Sequence, residues 1–353
     1  MSNYFRALGT AINPLMINGV EQDLIGKIAT ITQTQSNDWS LLWEGTQQSF
    51  MAADYGSSDV YNGKIHILGV GNNMGQHYTW DGENLVNVNN TQVEHGIPPY
   101  YIMGCAVVTY HDEIHIFGGS SLNNKKTRTC HYKWNDTTSL YEEVSKIPYS
   151  FNNGTAIVMN DEIHLLGGDH SSSTKKVHYI WNGSGWRKGS SLKLPIVGKH
   201  MAYITICTDK SDDLNYGKDI LHIISYDTKK KVTKRWVLFQ KRNKKGKIVD
   251  TWEQEDNVGS GLDVGSIKTI GNQVHVLADT GHYIGTIDGL YGPFSFRKAT
   301  DDLPYGVPHM VNYSSEVNIM DYDNSQYLIY SDDGFHPIWA KDVLYSLTIT
   351  EDV

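Results

Sequence analysis

Apolar and polar positions alternate with a two-residue period through most of this chain, in short runs set off by Gly, Asn, Asp and Pro. The alternating positions are filled largely by Val, Ile, Leu, Phe and Tyr, which is the pattern of β-strands rather than helices. Three runs nearly repeat one another: Gly63-Lys64-Ile65-His66-Ile67-Leu68-Gly69, Asp112-Glu113-Ile114-His115-Ile116-Phe117-Gly118-Gly119 and Asp161-Glu162-Ile163-His164-Leu165-Leu166-Gly167-Gly168. Each is followed by a second copied run: His77-Tyr78-Thr79-Trp80, His131-Tyr132-Lys133-Trp134 and His178-Tyr179-Ile180-Trp181.

The repeat continues in weaker form. His66, His115 and His164 fall at equal intervals, and Leu221-His222-Ile223, Val274-His275-Val276 and Tyr327-Leu328-Ile329 follow at similar spacing. A strand precedes each centre, as in Cys105–Tyr110 and Met201–Ile206. The His-Tyr-x-Trp strand comes after it, then an outer strand such as Leu140–Val144 or Trp186–Lys188. A period of about fifty residues built from short strands marks a propeller blade rather than a helical solenoid. Four strands per unit and six units predict an all-β, six-bladed β-propeller.

The last unit supplies strands near 311–319, 326–331 and 343–350 and lacks a fourth. Asp38-Trp39-Ser40-Leu41-Leu42-Trp43-Glu44 has the aromatic content to fill that place. An N-terminal strand completing the last blade ties both ends of the chain into one sheet and removes an open edge. The expected organisation is an N-terminal arm over 1–37 and a propeller over 38–353. The arm carries an apolar patch, Leu15, Met16, Ile17, Leu24 and Ile25, expected to serve attachment.

Residues 38–353 resemble the kelch family. The resemblance rests on a hydrophobic strand closing on Gly118-Gly119 or Gly167-Gly168, an aromatic about a dozen residues later, and outer strands ending in Pro148, Pro195 or Pro304. It is strong in the first three repeats and weak after residue 200. The chain departs from it in carrying His66, His115 and His164 where kelch repeats usually have Tyr. It departs again at Gly69-Val70, Ser225-Tyr226 and Ala278-Asp279, which stand in place of the glycine pair.

Composition narrows the function classes. The net charge of −9 argues against a whole-surface affinity for nucleic acid. No run approaches a membrane span, and the N-terminus lacks a basic segment followed by an apolar core, so neither membrane insertion nor a signal peptide is expected. Cys105, Cys130 and Cys207 are an odd count on different repeats and suggest neither a disulfide framework nor zinc.

The histidines invite a metal reading. Ligands must converge on one ion at about 2.0–2.1 Å, whereas ring-related residues such as His66, His115, His164, His222 and His275 are spread around the axis. They are expected to pack between blades and satisfy their nitrogens locally. The resemblance raises copper chemistry of the galactose-oxidase kind, but no Cys–Tyr and His set is assignable around the three cysteines. Tyr330–Trp339 is similar to the sialidase aspartate box with its Gly and Trp each displaced by one place. Asp169-His170-Ser171 holds triad residue types whose adjacency denies the through-space geometry a triad requires. No catalytic residue, cofactor or metal is expected.

The loops joining second and third strands are basic, through Lys125, Lys126 and Arg128, Lys175 and Lys176, and Lys229, Lys230 and Lys231. On a propeller they share one face and form a cationic crescent fit for an acidic protein surface or a phosphate-bearing cell-wall polymer. The alternative is ordinary solvated turn chemistry. Arg242–Lys247 lies on a hairpin of the opposite face.

Divergent kelch-like propellers with a short arm and an Asn/Tyr/Lys-rich composition resemble virion components of phages infecting Gram-positive bacteria. That resemblance implies a non-enzymatic structural and interaction module of a tail, neck or fibre. Such a module is oligomeric within its assembly and contacts other virion proteins through the arm, or the host surface. The alternatives are a glycan-active propeller hydrolase or oxidase, and a cytoplasmic kelch-type adaptor.

Overall fold

The computed structural model describes residues 15–17, 20–22, 37–46, 57–62, 64–70, 76–80, 84–88, 103–120, 128–152, 154–168, 177–190, 200–227, 232–255, 264–270, 273–278, 281–287, 296–298, 318–322, 325–331 and 341–349. Every regular element among them is a β-strand, and no helix occurs among the described residues.

Leu15–Ile17 (β1) and Val20–Gln22 (β2) form a two-stranded sheet of their own, and Asn37–Thr46 (β3) follows. Then come five four-stranded antiparallel meanders. The first holds Ser57–Tyr61 (β4), Lys64–Val70 (β5), Gln76–Trp80 (β6) and Leu85–Asn87 (β7). In the second are Met103–Tyr110 (β8), Glu113–Ser120 (β9), Arg128–Asn135 (β10) and Leu140–Phe151 (β11). The third comprises Gly154–Met159 (β12), Glu162–Gly167 (β13), His178–Trp181 (β14) and Trp186–Lys188 (β15). His200–Ile206 (β16), Asp219–Asp227 (β17), Val232–Arg242 (β18) and Ile248–Glu255 (β19) make the fourth. Val264–Ile270 (β20), Gln273–Ala278 (β21), Gly281–Thr286 (β22) and Arg297–Lys298 (β23) make the fifth.

The sixth sheet is assembled from both ends of the chain. Asn318–Tyr322 (β24), Ser325–Ser331 (β25) and Lys341–Ile349 (β26) are completed by β3, paired antiparallel to β26 from Lys341 opposite Thr46 to Ile349 opposite Asn37. Of its first strand, anticipated near 311–319, the described part is 318–322, and 311–317 lies outside the described residues. The first strands of the sheets are neighbours in succession: β4 lies beside β8, β8 beside β12, β12 beside β16, β16 beside β20, β20 beside β24, and β24 beside β4.

Local chemistry sets the hairpins. Asn62, the pair His111-Asp112 and the pair Asn160-Asp161 all take positive φ, between 48° and 59°. This left-handed conformation fits the two-residue hairpin turn that matches strand twist, and Asn and Asp tolerate it best among non-glycine residues.

Middle strands are buried on both faces, which explains why apolar residues occupy both and why their histidines are buried too. In β9, Ile114 and Ile116 pack with Leu68, Cys105, Val107, Trp134 and Tyr141 towards the first sheet, while Phe117 joins Ile163, Leu165 and Trp181 of the third. In β13, Leu166 turns instead to Leu221, Ile223 and Trp252 of the fourth. Tyr203 and Ile224 meet Ile267, Val274 and Val276 of the fifth.

The glycine pairs seat one aromatic ring. Phe151 is fully buried, and a Cβ on Gly118 (φ +67°) would lie 2.2 Å from its carbonyl oxygen. One on Gly154 would lie 2.3 Å from the ring, and one on Gly168 (φ +89°) 2.8 Å. Three glycines from two sheets thus make room for a residue at the crossing between them. Cys105 and Cys207 are buried and form no disulfide, and Cys130 donates its thiol to the Gly118 carbonyl at 3.2 Å.

Candidate functional site

The sequence-predicted interaction residues fall mostly outside the described residues. Lys125, Lys126, Lys175, Lys176, Lys229, Lys230 and Lys231 lie outside them, and Arg128 is placed only as the first backbone position of β10. Leu15, Met16 and Ile17 form β1, opposite Gln22, Glu21 and Val20, while Leu24 and Ile25 lie outside. Asp169-His170-Ser171 lies outside as well, and of the segment 330–339 only Tyr330 and Ser331 are described, at the end of β25.

The chemistry that is described is a set of buried histidine relays. Strand register sets each middle-strand histidine one step from the third-strand histidine: Leu68 opposes His77, Phe117 opposes His131, and Leu166 opposes His178. The diagonal neighbours then meet ring to ring. Nδ1 of His66 lies 2.8 Å from Nε2 of His77, that of His115 2.8 Å from His131, and that of His164 2.9 Å from His178.

Each pair is tied onward to the outer strand of the next sheet. His77 Nδ1 bonds the Tyr141 hydroxyl of β11 at 2.9 Å. His131 Nδ1 bonds Ser145 Oγ at 2.9 Å, and Trp186 of β15 donates its indole N–H to the same oxygen at 3.0 Å. His178 Nδ1 reaches the Ser190 carbonyl at 3.1 Å, which also accepts the Trp252 indole N–H from β19 at 2.9 Å. Edge-on aromatic contacts accompany them: Trp134 stands 4.6 Å from His77 and Trp181 5.0 Å from His131. The packing role expected of the histidines is seen at His66, His115 and His164, while the side chain of His275 lies outside the described residues; one correction is that local satisfaction is incomplete. Nε2 of His66, His115 and His164 lacks a well-aligned partner.

Proton placement in the third relay follows from its partners. A carbonyl only accepts, so His178 must carry its hydrogen on Nδ1 and present a bare Nε2 to the Nδ1–H of His164. His164 Nε2 is left as a buried lone pair. Burial drives every relay imidazole towards its neutral form. The pKa falls to about 4 for His66, His115 and His178, to about 3 for His131 and His164, and well below the usual value for His77.

The fourth sheet breaks the series. Arg235 opposes Ile224, so by register it occupies the third-strand histidine position, and it is 2% exposed. His222, in the middle-strand position, uses Nε2 to bond Thr205 Oγ1 at 2.8 Å and leaves Nδ1 without a partner. Its ring stacks on Tyr203 at 4.5 Å. Burial pushes the Tyr203 hydroxyl up to about 12, with Arg235 beside it pulling the other way. The sequence motif hid Arg235, because only the pairing shows that it, and not its neighbour Trp236, aligns with the histidines.

The relays sit in separate seams rather than around one point, and no group of three or more His, Cys, Asp or Glu side chains able to hold a metal occurs among the described residues. The onward partners Tyr141, Ser145 and Ser190 were not singled out from sequence. For Tyr141 and Ser145 the signal is only a polar residue on an outer strand, and Ser190, which follows β15, acts through a backbone carbonyl that its residue type does not announce.

No family model matches the chain, and no curated protein matches it. Among solved structures it is similar to that of YjhT, with a TM-score of 0.59 and 13% identity over 89% of this chain and 98% of that one. At that identity the likeness concerns the fold alone.

Proposed function

We propose that the chain is a six-bladed, kelch-like propeller closed by β3, and that it works as a non-enzymatic interaction module. One observation carries the reading: six four-stranded sheets whose first strands neighbour one another in turn, β24 lying beside β4, with the last sheet completed from the N-terminal side. A ring of this kind presents its inter-strand loops at two faces. The buried histidines are engaged in bonds within and between sheets, so recognition is assigned to the inter-strand loops and the arm. On the sequence resemblance, the setting is a phage virion, in a tail, neck or fibre. The cationic loops then meet an anionic cell-wall polymer or an acidic protein, and the arm meets other virion proteins.

The test is cosedimentation of the full chain with purified walls of a Gram-positive bacterium, before and after extraction of their phosphate polymer. Saturable binding that is lost on extraction and weakened by salt is expected. Salt-insensitive binding, or none, discards the wall-polymer partner.

A further inference from the structure

The relays have a consequence for the integrity of the fold that is independent of the functional reading. We propose that the three His–His relays make the seams between the first four sheets acid-labile, so that mildly acidic solution opens the protein there.

The geometry supplies the mechanism. At neutral pH each relay is an uncharged chain of hydrogen bonds crossing a buried seam. A first extra proton places a net charge among aromatic and aliphatic side chains. A second makes both facing nitrogens N–H donors and breaks the His–His bond outright. Nearby charges do little to accommodate this. Around His66 and His77 stand Asp136 and Asp59, opposed by Lys64, with Tyr61, Tyr141 and Trp134 as uncharged neighbours. Around His115 and His131 stand Glu113, 3.7 Å from His115 Nε2, opposed by Lys133 and His111, with Tyr110, Ser145, Trp181 and Trp186. Among the described residues the third relay faces a like charge, Arg187, which is itself engaged by Glu162, together with Trp252.

The sign follows from linkage. The folded-state affinities for protons are depressed below the ordinary imidazole value of about 6.5. The stability these groups carry is therefore complete above that value and lost as pH falls towards about 4. Each imidazole raises the unfolding equilibrium constant by up to about tenfold per pH unit in that window.

The experiment is urea unfolding of the full chain at pH 7.5, 6.5, 5.5 and 5.0, beside the triple variant His66→Asn, His115→Asn, His164→Asn. The variant keeps a polar atom near each Nδ1 and removes three of the six titrating rings. Wild type should lose stability steeply below pH 6.5, and the variant should show about half that slope. Equal slopes, or a wild type indifferent to pH, would overturn the proposal. Should the variant fail to fold at pH 7.5, NMR titration of the wild-type imidazoles decides. Six rings that resist protonation until they titrate together with loss of structure support it. Rings that titrate singly near 6.5 within an intact fold refute it.

Discussion

Nδ1 of His115 and Nε2 of His131 lie 2.8 Å apart in a seam where both rings are almost wholly buried. The bond joins two adjacent strands of one sheet, and its continuation through Ser145 reaches Trp186 of the next. A cross-strand contact has become a link between sheets, and the same construction recurs in the flanking repeats.

The onward partners should differ in how mutation reads them. Tyr141→Phe removes the hydroxyl on His77, and Ser145→Ala strips a bond from both His131 and Trp186. Each should cost about 1–3 kcal/mol, the penalty for orphaning buried polar atoms. Ser190→Ala should cost less than about 1 kcal/mol, because His178 and Trp252 use its carbonyl and the hydroxyl serves only the Asp250 carbonyl. Urea unfolding at pH 7.5 checks the order.

Gly118→Ala should be among the most damaging single changes, at more than about 3 kcal/mol. Its new methyl would collide with the Phe151 backbone, which cannot yield as a flexible side chain would. Gly217→Ala is the control: φ is +72° there but nothing lies within 4 Å, so only the left-handed backbone cost of about 1–2 kcal/mol remains. Thermal unfolding of the two variants separates steric from conformational cost.

Removing residues 1–46 should strip the whole partner of β26 and leave that edge open, giving a chain that is much less stable and prone to associate. Removing residues 1–30 spares β3 and should leave the melting temperature nearly unchanged. A short deletion that also unfolds the protein would place the arm in the core.

At Arg235 the register makes an unusual forecast. Arg235→His brings an imidazole to the position from which His77, His131 and His178 meet Nδ1 of their partners, and Nδ1 of His222 is waiting. This substitution should be far milder than Arg235→Ala, which leaves a cavity and orphaned polar atoms at a buried site and should cost about 2–5 kcal/mol. Denaturant midpoints of the two variants compare them, and an Arg235→His protein as unstable as the alanine form would show that the guanidinium itself is required.

The proposed cationic face is read by kinetics. Reversing Lys125, Lys126, Lys175 and Lys176 to Glu should slow association with an anionic wall polymer more than it speeds release, since rim charges act mainly by steering. Surface-plasmon traces at two salt concentrations distinguish this from loss of a packed contact. Unchanged traces at both would leave those loops as solvated turns.

The sequence by itself determined the strands and their grouping. Alternation at period two is dictated by strand geometry, and the recurrence of Ile-His-Ile or Ile-His-Leu fixed which runs were equivalent. It also showed that the repeated histidines could not meet as one cluster, since equivalent positions in successive units stay apart. What it left open were contacts between units. Whether the Ser145 hydroxyl that ends at His131, or the Ser190 carbonyl that ends at His178, also meets Trp186 or Trp252 depends on how the outer strand of the following sheet lies across the seam. That is a matter of packing angle and not of spacing along the chain. Arg235 makes the point most sharply. In Lys234-Arg235-Trp236 the tryptophan falls directly after the arginine instead of three places on, so no motif aligns it with the histidines, and only the backbone hydrogen bonds between β17 and β18 assign it to their row.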